Sequence, residues 1–111
     1  MTFNEYQALA AVTDTRENDD LVYPTLGLVG EAGEVAEKIK KLWRNNDITT
    51  GNRVSVFDAL AIKKELGDCL WYISTIARKL NINLDDVAEG NITKTHDRLR
   101  RGVIKSEGDD R

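Results

Sequence analysis

The sequence predicts an all-α protein, a four-helix bundle-type fold, and three observations carry that prediction. Apolar residues recur at 4, 3, 4, 3 spacing, as in Leu28, Ala32, Val35, Ile39 and Leu42, the period of a helix with one covered face. No stretch alternates convincingly in the manner of a half-buried strand. Breaks rich in asparagine, aspartate and glycine separate the periodic segments.

Each helix has its own signals. Thr2-x-x-Glu5 reads as a capping box that opens a short first helix, with Phe3, Tyr6 and Ala10 on its apolar face. Residues 13–21, TDTRENDDL, are polar and lack a period, which marks a linker. Pro24 suits the first turn of a second helix, where no hydrogen-bonded N–H is lost, and that helix extends to about Trp43. Residues 44–57, with Asn45-Asn46-Asp47 and Gly51-Asn52, form a loop. A third helix runs from near Asp58 to near Leu80 on a stripe of Ile62, Leu66, Leu70, Ile73, Ala77 and Leu80. Asn83 caps a fourth, with Asp86 at the N3 position. It runs to about Arg101 on a weaker stripe of Leu84, Ala88, Ile92, Thr95 and Leu99. The expected organisation is one domain over 1–101 and a tail over 102–111.

Composition narrows the class. With 111 residues, 32% charged and 41% apolar, the chain fits one soluble globular domain. A net charge of −3, from 16 basic and 19 acidic side chains, gives no overall basic field for nucleic acid. The single cysteine, Cys69, rules out an intrachain disulfide and fits a reducing compartment. No signal-peptide pattern or membrane-length apolar run is present, so the expected location is cytoplasmic.

Two motifs carry the chemistry: Glu31-Ala-Gly-Glu34 and Glu65-Leu-Gly-Asp68. Residues three apart are neighbours on a helix face. At roughly 100° per residue, Glu31, Glu34 and Lys38 fall on one flank of the second helix's stripe, beside Gly27. Glu65, Asp68 and Tyr72 flank the third stripe, and Asn91, Lys94 and Arg98 the fourth, rotated in the same sense. A bundle packed on these stripes can bring the three clusters to a common mouth. Four carboxylates at one point call for a hard cation such as Mg²⁺, or Mn²⁺ in its place. Such a cation suits a polyphosphate, with Lys38, Lys94 and Arg98 neutralising further phosphate charge and Asn91 and Tyr72 orienting a sugar or base.

Each element also has a plainer explanation. A lone Glu-x-x-Glu is usually a solvated helix face, and Lys94 and Arg98 suit the end of a last helix as surface charges. Trp43 and Trp71 read as packing residues, His96 as a surface histidine and Cys69 as a small buried hydrophobe. Against this, both acidic pairs lie beside a core stripe. Gly27, Gly30, Gly33 and Gly67 sit in or near them although glycine costs about 1 kcal/mol in a helix interior. Those glycines predict close approach by a helix or a ligand.

The segments GLVGEAGEVAEKIKK (27–41), KKELGDCLWYI (63–73) and NITKTHDR (91–98) resemble the MazG-like nucleoside triphosphate pyrophosphohydrolases, of the all-α NTP pyrophosphatase superfamily. The tail RGVIKSEGDDR resembles that of some small members. The resemblance implies Mg²⁺-dependent hydrolysis of a (deoxy)nucleoside triphosphate to a monophosphate and pyrophosphate, in nucleotide-pool house-cleaning. It implies Glu31, Glu34, Glu65 and Asp68 as metal ligands, and Lys94, Arg98, Asn91 and Tyr72 as substrate contacts. Some relatives carry a further glutamate where this chain has Gly30, so Glu31 and Glu34 both stand as candidates to deprotonate the attacking water. Family members form homodimers or homotetramers, and a thin four-helix chain gains a fuller core by the same route.

Two alternatives stand beside this expectation. A non-catalytic helical interaction module would tolerate neutralised carboxylates. A phosphoribosyl-ATP pyrophosphatase-like enzyme would prefer that substrate to free nucleotides. A di-iron carboxylate bundle needs two Glu-x-x-His motifs, which the one histidine excludes.

Overall fold

The computed structural model describes residues 1–18, 20–48 and 53–102. Four helices, and no β-strand among the described residues, make up the chain: α1 (Phe3–Val12), α2 (Val22–Arg44), α3 (Val56–Lys79) and α4 (Leu84–Arg101). The tail expected beyond Gly102 lies outside the described residues.

The helix starts follow local chemistry, with two differences from expectation. Thr2 forms its capping box: its hydroxyl accepts from the Glu5 N–H at 3.0 Å, and Glu5 accepts from the Thr2 N–H at 3.0 Å. Pro24 lies in the first turn of α2 as expected; the N-cap, Leu21, makes no side-chain capping bond, and the Asp20 carboxylate before it accepts from the Tyr23 N–H at 2.9 Å. α3 begins two residues before Asp58, because Ser55 caps it, accepting from the Asp58 N–H at 3.1 Å. Asn83 does occupy the N-cap of α4, yet its side chain makes no capping bond.

That last difference has a tertiary cause. The N–H groups at the start of α4 are satisfied by α1 instead. The Leu84 N–H donates to Gln7 Oε1 at 3.2 Å, and the Asp85 N–H donates to Asn4 Oδ1 at 2.9 Å. The Asn4 N–H donates in return to the Asp85 carboxylate at 3.0 Å. Gln7 is buried and its amide also donates to the Ile82 carbonyl at 3.0 Å. One glutamine thus serves both the α3–α4 turn and the head of α4. The turn itself passes through Asn81 at φ 58, and α4 ends on Gly102 at φ 72.

α3 is the central element. It packs against α1, α2 and α4, and α1 also packs on α4, while α2 touches α3 alone. Ala10, Pro24, Ala77 and Leu84 are the buried apolar residues among those described. The expected stripes are therefore only partly covered: Ile39, Leu66, Leu80, Ile92 and Leu99 remain exposed, Leu66 by 54%. A helix with one neighbour cannot bury a stripe as wide as that of α2. Phe3, expected on the covered face of α1, is exposed as well.

Replacing Gln7 with leucine keeps the volume and strips the Leu84 N–H and Ile82 carbonyl of their partner. Leaving such groups buried and unpaired costs about 1–3 kcal/mol, and urea unfolding should show a loss of that size with the helical far-UV signal retained.

Candidate functional site

The seam between α2 and α3 runs antiparallel, as the pairs along it show. Tyr72 sits against Gly27, Glu31 near Glu65 and Asp68, and Lys38 beside Glu65. The first of these pairs explains one glycine. A Cβ at Gly27 would overlap the Tyr72 ring, so α2 can approach α3 here only without a side chain. Cβ atoms at Gly30, Gly33 and Gly67 would meet nothing within 4 Å, so those glycines find no close approach inside the chain.

One turn along from Gly27, the carboxylates converge. Ligand oxygens of Glu31, Glu65 and Asp68 lie within 4.8 Å of one another, Glu31 and Glu65 half-buried and Asp68 exposed. The Glu31 carboxyl is pushed up from the ordinary glutamate range by desolvation first. A hydrogen bond with Glu65 and the negative charges of Asp68, Glu65 and Glu34 add to it. Lys38 offsets part of that charge, its Nζ 3.7 Å from Glu65. Cys69 is half-buried behind the group, and burial followed by the charges of Glu31, Asp68 and Glu65 pushes its thiol up. It is a protonated packing residue there, as expected of a small hydrophobe.

Glu34 stands outside that group and is exposed. Three residues on from Glu31 it is rotated by roughly 60° and advanced by about 4.5 Å along the axis. That offset leaves three tightly grouped oxygens with a fourth carboxylate beside them.

The expected convergence of α4 is not what one chain shows. α4 makes no contact with α2. Asn91 lines an apolar groove with Phe3, Leu70, Ile73, Leu84, Val87 and Ala88, away from the acidic group. Arg98 is not a surface charge but buried, 4% exposed, and Lys94 is half-buried. The wheel put these residues on one flank; tertiary packing put that flank next to α1 and α3.

The cleft that does open beside the carboxylates is about 330 Å³, lined by Thr13, Glu31, Asp68, Trp71 and Tyr72. It joins two acidic groups to two aromatic rings, which meet edge to face at 5.1 Å. A second groove, about 180 Å³, lies farther along the seam between Lys38, Lys41, Leu42, Asp58, Ala61 and Ile62. Lys38 stands between the two, paired with Glu65 and lining the second.

Segment 13–18 forms part of this site and is no free linker. The Trp71 indole N–H donates to Thr13 Oγ1 at 2.8 Å, and Lys79 Nζ donates to the Asn18 carbonyl at 2.9 Å. Asp14, its side chain 4% exposed, pairs with Arg16 at 3.1 Å and with Arg78 at 2.7 Å. The hydrogen bond from Arg16 comes first among the causes that hold the Asp14 carboxyl below its ordinary range. The Arg16 guanidinium lies 3.9 Å above the Tyr23 ring. Sequence reasoning missed Thr13, Asp14, Arg16 and Tyr23; the one trace of them is an aspartate and an arginine two apart in a polar stretch.

A family model, the MazG nucleotide pyrophosphohydrolase domain, matches residues 24–102. The chain belongs to that family. The match spans both acidic motifs and α4, and leaves α1 and segment 13–18 outside it. A curated relative, "Gene 37 protein" of Mycobacterium phage L5, is 43% identical over 95 residues, 84% of this chain and 78% of that protein. No solved structure matches significantly. An all-α MazG-family protein is thus what both the sequence and the structure describe, and no described helix is long and apolar enough to cross a membrane.

Gly27→Ala should lower the melting temperature, because the new methyl group displaces Tyr72 from α2. Gly30→Ala and Gly33→Ala should raise it, each by the equivalent of about 1 kcal/mol of helix propensity. A loss on either of the latter would show that another molecule fills the space beside them.

Proposed function

We propose that this MazG-family protein hydrolyses (deoxy)nucleoside triphosphates between the α and β phosphates, with Mg²⁺ or Mn²⁺ as cofactor. The observation that supports it is the meeting of Glu31, Glu65 and Asp68 at the mouth of an aromatic-walled cleft. Three carboxylate oxygens within 4.8 Å are an all-oxygen donor set that fits a hard divalent cation. Mg²⁺, when bound, supplies charge neutralisation for phosphate oxygens and acidifies water.

The chain's own groups supply the rest. Glu31, Glu65 and Asp68 would hold the cation. Glu34, exposed beside them, would accept the proton of the attacking water at its carboxylate, the role it had shared with Glu31 as a candidate. The water oxygen bonds to the α phosphorus and the α–β bridging P–O bond breaks, giving a nucleoside monophosphate and pyrophosphate. Tyr72 and Trp71 offer ring faces and edges to the nucleoside, and Lys38 faces the departing pyrophosphate along the seam.

Assembly as a homodimer or homotetramer belongs to the same proposal. α3 is the one helix that packs on α2 among the described residues, and Leu26, Val29, Phe57, Leu60 and Leu66 are exposed along α2 and α3. In such an assembly Asn91 and Lys94 would reach a nucleotide from a second copy's α4. Arg98, buried within its own chain, is left out of that assignment. A role in clearing surplus or non-standard nucleotides in the cytoplasm completes the proposal, and sedimentation of the active species checks the assembly: a monomer would overturn that part.

Pyrophosphate release from a panel of NTPs and dNTPs is the direct test. Release should require Mg²⁺, stop with EDTA, and fall at least about a hundredfold in Glu34→Gln and Asp68→Asn, beyond the usual effect of groups that merely orient metal ligands. Full activity in either variant would sink the assignment, and orthophosphate as product would move the cleavage. Retained function with all four carboxylates neutralised would favour an interaction module.

Protons and Mg²⁺ compete for the same oxygens. The raised Glu31 pKa means that its stabilising contribution is complete below the ordinary glutamate range and is lost as pH rises through the raised value. The rise in melting temperature on adding Mg²⁺ should therefore be large at neutral pH and vanish as pH falls through that window. An Mg²⁺ shift independent of pH, or one retained in Asp68→Asn, would place the cation elsewhere.

A further inference from the structure

Segment 13–18 couples the two helices of the site through one carboxylate. α1 and α2 do not touch, so among the described residues it is this segment and the α2–α3 seam that set how the first turn of α2 stands on α3. Asp14 reaches in both directions. One of its oxygens takes Arg16 Nε at 3.1 Å and the Arg16 N–H at 3.2 Å, and the other takes Arg78 Nη2, on α3, at 2.7 Å. Arg16 in turn covers the ring of Tyr23, on the first turn of α2. The same guanidinium lies 5.9 Å from the ring of Trp71, which lines the cleft and meets Tyr72 edge to face. Thr13, next to Asp14, lines the cleft from the other side and takes the Trp71 indole N–H.

A further feature shows how much rests on Asp14. Arg16 Nη1 is buried and has no hydrogen-bond partner among the described residues. The orientation of that guanidinium therefore depends on Asp14 and on the Tyr23 ring. Two guanidinium groups share one carboxylate here, which leaves positive charge behind the aromatic wall and none of it on the acidic group itself.

We propose that Asp14 is a positioning residue for the nucleoside: by joining Arg16 to Arg78 it fixes the guanidinium that lies against the Tyr23 and Trp71 rings, and with Trp71 the wall of the cleft farthest from Lys38. The proposal rests on the hydrolase activity proposed above and adds which end of the substrate this segment serves. Asp14, Arg16 and Tyr23 lie outside the residues matched by the family model, whereas Arg78 and Trp71 lie within them.

The products separate the two ends of the site, and so supply the test. In Asp14→Asn, KM for the preferred nucleotide should rise about tenfold, the scale of one lost charge-assisted hydrogen bond, with kcat nearly unchanged. Inhibition by the nucleoside monophosphate should weaken in parallel, while inhibition by pyrophosphate at fixed free Mg²⁺, and Mg²⁺ affinity measured by calorimetry, stay as in the wild type. Arg78→Lys, which keeps the charge facing Asp14, should retain most of the wild-type KM. If Asp14→Asn fails to fold, Arg16→Met carries the same expectation, since the side chain is 26% exposed and its stem is kept. An unchanged KM in a folded variant overturns the proposal, as does equal weakening of both products, which would mean a general loss of structure. A wild-type protein that releases no pyrophosphate overturns the hydrolase proposal and this one with it; a wild type that does, beside an unaffected variant, overturns this one alone.

Discussion

The site depends on how closely α2 lies against α3, and that distance is set at Gly27. Tyr72 fills the space that any side chain there would need. With the helices in contact at that level, the antiparallel seam places Glu31 opposite Glu65 and Asp68 one turn away, and Lys38 a further two turns along. A helix pair held wider would carry the same four acidic residues and no shared donor set. The glycine thus trades helix propensity for approach, and the ring that uses the space also walls the cleft.

Electrostatics then divides the seam. At its centre, burial first and then the neighbouring carboxylates raise the affinity of Glu31 for a proton. On one side Lys38 begins a lysine-bearing groove, and on the other the aromatic rings have a pair of arginines behind them, tied to Asp14. Cation, anion and cation follow in order along one helix pair. Such an order suits an extended, multiply charged ligand bridged at its middle by a metal ion, and it suits a compact neutral ligand poorly.

The other half of the molecule serves to hold α3. α1 caps α4 through Gln7 and Asn4, so the head of α4 is satisfied by side chains from a helix some eighty residues earlier in the chain. Between them, segment 13–18 is fastened to α3 at Trp71, Arg78 and Lys79. A segment with no regular structure is here as firmly bonded as the helices it joins. Among the described helices only α2 packs on a single other helix, and apolar side chains stay exposed along it and α3.

How much of this was legible follows from the range of each interaction. The sequence by itself determined the four helices, because capping and periodicity act over three or four residues: Thr2 with Glu5, Pro24 in a first turn. It also determined that Glu31, Lys38, Glu65, Asp68 and Tyr72 share flanks, since a helix of fixed pitch converts spacing into direction. Helix partners are not written in that period. Only the tertiary structure decided that α4 turns Asn91 into an apolar groove beside α1 and α3, that Asn83 yields its capping role to Gln7 and Asn4, and that Asp14 and Arg16 leave a polar linker to clamp the site. Those outcomes depend on which surfaces meet, and contacts between residues far apart in sequence leave no period for a linear pattern to reveal.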